Sequence, residues 1–137
     1  MAQAVDSGTL IGSANDGRIS GAARNDFAEA AAVVLTAEDA TDATYELAGD
    51  EAFTLADLAK VASTVSGKPV EYRNVPTDEY RAALTDAGTP PFFVDFLATT
   101  DESIAAGELE GPKPGTLSHL IGRPTTPVAE IVAGWTN

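Results

Sequence analysis

Apolar residues recur along this chain with two periods, and the switches between them outline its elements. Phe27, Ala30, Ala31, Val34 and Leu35 fall at i, i+3, i+4, i+7 and i+8. That spacing puts them on one face of a helix, which the pattern ends near Thr36. Asn25 or Asp26 stands where a side-chain oxygen can cap the first turn, and Glu29 suits the positive end of the helix dipole. Upstream, "NDGR" at residues 15–18 reads as a turn and "RISGAA" as a short strand of small residues. The first fifteen residues carry little pattern.

Further along, "TYELAG" at residues 44–49 alternates and predicts a strand, with Gly49 and Asp50 turning the chain. Thr54 and Asp57 stand three apart, as in a capping box, before the stripe Leu55, Leu58, Ala59, Ala62 and Val65, and Gly67 is placed to stop that helix. "KPVEYRNV" alternates again as a strand. "PTDEYRAAL" follows as a helix capped by Thr77 and running to Gly88. Pro90 and Pro91 open a helix rich in phenylalanine, "EGPKPG" is a linker, and "TLSHLIG" is one or two helical turns. In the last helix Thr126 caps, Pro127 takes the first position, and Val128, Ile131, Val132 and Trp135 form the stripe. The order β-α-β-α-β-α-α-α is an α/β pattern: about three short strands with five helices, in one domain over residues 1–137.

The charge narrows the partners. Twenty-one acidic and 8 basic residues give a formal net charge of −13. A surface so acidic repels phosphate backbones and anionic lipids, so neither nucleic acid nor membrane is an expected partner. The start, "MAQAVDSGTL", has neither the basic nor the apolar region of a secretory signal, and the expected location is the cytoplasm. The absence of cysteine removes disulfides, thiol nucleophiles and thiolate metal sites.

Candidate chemistry is sparse. His119 is the one histidine, without acidic neighbours at ligand spacing, and reads as structural; no metal site is expected. No G-x-S-x-G surrounds Ser118, no G-x-G-x-x-G follows a strand, and no tyrosine has a lysine four residues on. The one ligand surface that the residues suggest is "PPFFVDF". Phe92 and Phe96 share a helix side and Phe93 points elsewhere. They either fill the core under the C-terminal helices or wall a site for a flat aromatic molecule.

The stretches "DGRISGAARNDFAEAAAVVLT", "YELAGDEAFTLADLAKVASTVSGKPVEYRNVPTDEYRAAL", "GELEG" and "LSHLIGRPTTPVAEIV" together resemble the C-terminal half of the NmrA-like atypical short-chain dehydrogenases, above all their NAD(P)H:quinone oxidoreductase group. The resemblance covers residues 12–135, nearly the whole chain. It implies a partial Rossmann-like fold and the substrate-binding half of a reductase. In the family a preceding Rossmann half carries the glycine-rich loop and most contacts to NADPH, so no cofactor-binding residue is expected in this chain and redox activity of the chain alone is not. The resemblance sets Asn25 at a helix start beside the substrate cleft, and Phe92, Phe93 and Phe96 in the region covering it. A hydrophobic or aromatic small molecule is the implied ligand, and a second copy or a complementary Rossmann half the implied partner. Two other readings remain open: a cofactor-independent isomerase or cyclase for a hydrophobic polycyclic substrate, and a non-enzymatic dimeric binding module.

Overall fold

A computed structural model describes residues 2–38, 42–111 and 115–136. In chain order the elements are α1 (Ala2–Ser7), β1 (Thr9–Gly12), β2 (Arg18–Ile19), α2 (Arg24–Thr36), β3 (Phe53–Thr54), α3 (Leu55–Ser66), β4 (Glu71–Asn74), α4 (Thr77–Asp86), α5 (Pro91–Ala105), α6 (Thr116–Ile121) and α7 (Val128–Thr136). The α/β expectation holds, with seven helices and four strands among the described residues in place of five and three. Residues 112–114 of the expected linker lie outside the described residues.

The strands form two short pairs. β1 runs parallel to β4, with Thr9 opposite Glu71 and Gly12 opposite Asn74. β2 runs antiparallel to β3, with Arg18 opposite Thr54 and Ile19 opposite Phe53. α3 returns the chain toward β4 and packs with α1 and α7 around Val5, Ala59, Ala62, Val70 and Val132. The small side chains of Ala59 and Ala62 let α7 lie close, and Val132 is fully enclosed. A second cluster joins α2 to α6 through Ala30, Leu117 and Ile121, and a third joins α4 to α5 through Val75, Tyr80 and Ala98. Three small clusters rather than one thick core suit a chain this rich in alanine, because alanine buries little area per residue.

The α3 boundaries are as the sequence predicts. Thr54 Oγ1 accepts from the Asp57 N–H at 3.0 Å, Asp57 accepts from the Thr54 N–H at 3.2 Å, and Gly67 ends the helix at φ 68°. Other expectations are corrected. The unpatterned start forms α1 and β1; both are too short to show a period, and Ala4 and Val5 of the helix are buried in the core. Residues 44–49 are not a strand. Side chains 44–46 are exposed, and the segment is instead tied down by the Gly49 N–H on Ser20 O (2.9 Å), while β3 supplies the pairing four residues later.

Several caps also move. α2 starts after Ala23 with no side-chain cap: Asn25 is exposed, and Asp26 is turned inward toward the α6–α7 connection. Pro76, not Thr77, is the N-cap of α4. The Pro127 carbonyl accepts the Glu130 and Ile131 N–H groups, so α7 begins one residue later than expected, and the Thr126 hydroxyl serves Asp26. Ala31, Leu35 and Trp135 lie outside the buried stripes assigned to them.

Candidate functional site

Gly12 and Asn74 end β1 and β4 side by side, and in open α/β sheets such carboxyl ends are where ligands are held. Here the edge is closed by the chain itself. The Ser13 N–H donates to Asp101 Oδ2 at 2.6 Å, the Ala14 N–H to the Tyr72 phenol oxygen at 3.2 Å, and the Asn15 N–H to Asn74 Oδ1 at 2.9 Å. Burial pushes the Asp101 carboxyl above the usual carboxylate range, with the Ser13 amide and hydroxyl pulling the other way. Burial likewise raises the Tyr72 phenol, and it pushes Tyr80 to about 12 with help from the Asp101 charge. Neither phenol is prepared to give up a proton near neutral pH.

α5 crosses beside this edge. It turns Val94, Ala98, Asp101 and Ile104 inward, and leaves Phe92, Phe93 and Phe96 outward at 73%, 52% and 57% exposure. Packing under the C-terminal helices is therefore not what these rings do. Phe92 and Phe96, one turn apart, line an open groove of about 390 Å³ with Asp95, Thr99, Thr100, Ser103 and Leu109. Phe93 is not part of its lining; its ring meets Phe92 edge-on, with centroids 5.4 Å apart.

Asn25 lines a different surface, a broad depression between α2 and α7 that also includes Phe27, Ile131 and Trp135. Of the four residues singled out in the sequence, Phe92 and Phe96 thus share one surface, Asn25 lies on another, and Phe93 lines neither. A third, tighter cavity of about 190 Å³ lies between residues 50–53, Gly21 and residues 124–128.

Two carboxylates hold the 124–128 wall of that cavity: half-buried Asp50, which lines it, and Asp26, which does not line it and is buried behind Thr126. Asp26, with no exposed surface, accepts from the Thr126 N–H (2.8 Å), the Thr126 hydroxyl (2.9 Å) and Arg123 Nη2 (2.9 Å). Burial alone would raise its pKa; the Thr126 amide, Arg123 and the Thr126 hydroxyl outweigh it and hold Asp26 below its ordinary value. Asp50 accepts from the Thr125 N–H (2.9 Å) and the Ser118 hydroxyl (2.8 Å), and these bonds lower its pKa too. Ser118 is therefore a structural donor rather than a nucleophile, and His119 beside it is exposed. The partners of Asp26 stand about a hundred positions away in the chain, at separations of 97 and 100, so no local pattern could have revealed them. Among the described residues no three acidic or histidine side chains are grouped to hold a metal, and no helix is long and apolar enough to cross a membrane.

No family model matches the chain. It is 43% identical over 130 residues to quinone oxidoreductase 2 of Escherichia coli, which covers 95% of this chain and 45% of that protein. The crystal structure of an NADPH-dependent quinone oxidoreductase from Escherichia coli in complex with NADPH superposes with a TM-score of 0.92 at 42% identity, over 98% of this chain and 47% of that one. This chain is homologous to the C-terminal half of the NmrA-like quinone oxidoreductases. The same fold is shared with triphenylmethane reductase from Citrobacter sp. in complex with NADP(H), at a TM-score of 0.91 and 32% identity, over 98% of this chain and 46% of that one. The chain spans less than half the length of the curated relatives it matches. Its partial Rossmann-like α/β character follows from these superpositions, since so few strands would not by themselves define the family.

Proposed function

We propose that the chain is the substrate-binding half of an NAD(P)H-dependent quinone oxidoreductase-like protein. The observation that carries this reading is the match to the NADPH-bound relative along 98% of the chain but only 47% of that relative. The aromatic groove on α5 supplies the surface for a hydrophobic or aromatic small molecule: Phe92 and Phe96 present rings, and Thr99, Thr100 and Ser103 a polar rim. When bound in such enzymes, the dinucleotide supplies the hydride. These residues do not fit its pyrophosphate. The chain has no G-x-G-x-x-G, and its three strand-end amides are taken by Asp101, Tyr72 and Asn74. The chain's own contribution is to bind and orient the acceptor, in the cytoplasm, with a second copy or a complementary Rossmann half covering the two-stranded β1–β4 pair.

Titrating the 137-residue chain with NADPH, followed by nucleotide fluorescence, should show no binding at micromolar concentration. Light scattering of the same sample should give a dimer. Micromolar binding by the chain alone would place the cofactor site within it and overturn the division of labour proposed here.

The groove itself is tested by truncation. Phe92→Ala and Phe96→Ala should each weaken binding of neutral acridine, read by its fluorescence, by about tenfold. Their stability should change by less than about 1 kcal/mol, because the rings are mostly exposed. Leu117→Ala, at a fully buried position, should cost about 2–5 kcal/mol and leave acridine binding intact. Core-sized losses at both phenylalanines with unchanged binding would refute the groove.

A further inference from the structure

The groove on α5 combines two features that together narrow its ligand. Its apolar surface is mainly aromatic: the Phe92 and Phe96 rings are exposed, and Leu109 shares the lining. Among the described residues its one charged lining residue is Asp95, whose side chain is 76% exposed. The charges next to the lining positions have the same sign. Exposed Glu102 adjoins Ser103, Glu108 and Glu110 flank Leu109, and Asp101, next to Thr100, is turned into the interior. Among the described residues, Asp95 and Glu110 are each paired with an arginine. Arg81 Nη1 is bonded to Asp95 Oδ1, leaving Oδ2 without a bond to it, and Arg18 Nε lies 3.4 Å from Glu110. Among the described residues Glu102 and Glu108 are exposed and have no ion-pair partner, on a chain whose net charge is −13.

Resting on the proposed role of the groove as an acceptor site, we infer that it takes planar aromatic cations in preference to neutral or anionic aromatics. Three effects act in the same direction. The faces of exposed phenylalanine rings carry negative potential and attract a delocalised cation. The Asp95 carboxylate in the lining and the acidic charge of the chain raise the local concentration of cations and repel anions. The groove is open on one side, so a delocalised cation keeps part of its hydration while stacking, and no full desolvation cost has to be recovered. A neutral quinone gains only the stacking, and an anionic acceptor meets the acidic charge as well.

The test uses three tricyclic probes of nearly equal shape with the whole chain: N-methylacridinium, acridine, and acridine-9-carboxylate, at neutral pH. The cation should bind about tenfold more tightly than acridine, and the carboxylate more weakly than either. Raising the salt concentration should erode the cation's advantage and leave acridine unchanged. Two charge variants, at exposed Asp95 and half-buried Arg81, separate electrostatics from structure. Asp95→Asn leaves Arg81 uncompensated and should weaken the cation severalfold. Arg81→Gln frees the Asp95 carboxylate and should strengthen it. A merely structural pair would change binding in the same direction in both variants. Acridine binding that depends on Phe96, with equal affinity for the cation, would overturn the charge preference while keeping the groove. Failure of all three probes to bind, or binding indifferent to Phe92 and Phe96, would overturn the groove as well.

Discussion

Asp26→Asn is expected to lower stability by about 2–3 kcal/mol, because it removes a buried charge and puts a donor where an acceptor is needed. Oδ1 accepts from Arg123 and the Thr126 hydroxyl, and Oδ2 from the Thr126 N–H. An asparagine offers one oxygen, so its NH₂ must face either the guanidinium or the amide. Arg123 is about half exposed and can turn to water, which keeps the cost below that of a fully buried ion pair. For a chain of this length the loss corresponds to a melting point lower by roughly 10 °C. Calorimetry of the two proteins measures it; a change under about 0.5 kcal/mol would mean that the link between α2 and the α6–α7 connection contributes little.

The same carboxylate shapes the acid limb of the stability curve. Asp26, Asp50 and Asp57 have folded-state pKa values below the ordinary carboxylate value of about 3.9. Each therefore contributes stability that is present above that value and is lost as the pH falls through it toward the folded value. Asp101 has the opposite sign. Its pKa is raised in the folded state, so it favours folding when protonated and loses that advantage as the pH rises through the folded pKa. With three groups against one, stability should fall on acidification, and Asp26→Asn should make that fall shallower. Unfolding free energies measured at a series of pH values give the slope directly.

Gly49→Ala is the second large effect, expected to cost about 2–4 kcal/mol. A Cβ at Gly49 would stand 2.2 Å from Gly21 O, a backbone atom that cannot rotate away. Either the Gly49 N–H bond to Ser20 O or the β2–β3 pair must shift, and with it the cavity wall formed by Gly21. Gly67→Ala is the contrast. Nothing lies within 4 Å of its Cβ, but φ is 68°, so only the backbone preference is lost and the cost should be about 1 kcal/mol. Denaturant unfolding of both variants distinguishes steric collision from conformational strain. Equal costs would mean that the Gly49–Gly21 contact relaxes freely.

How much of this was legible depends on the range of the interaction involved. The α3 capping box, the Gly67 stop and the Pro90–Pro91 start of α5 could be read directly, since each rests on contacts within a few residues. Local signals misled where a distant partner decided the outcome. Asp26 has the chemistry of a cap, yet the Thr126 amide and Arg123 claim its oxygens. Residues 44–49 alternate like a strand, but β2 is only two residues long and pairs with Phe53–Thr54 instead. β1 had no pattern to read, because its four residues owe their conformation to pairing with β4 some sixty positions away.

The candidate site divides along the same line. Residue types and spacing singled out Phe92, Phe93 and Phe96 and put Phe92 and Phe96 on one helix side, a matter of the 3.6-residue period. Their exposure, the separation of Asn25 onto another surface, and the closure of the strand-end amides were decided by tertiary structure. The sequence by itself determined the helix periods, the local caps, the acidic charge and the family resemblance. Only the fold decided which faces are buried and which carboxylates meet, because burial and hydrogen bonding belong to pairs of residues that the chain brings together from afar.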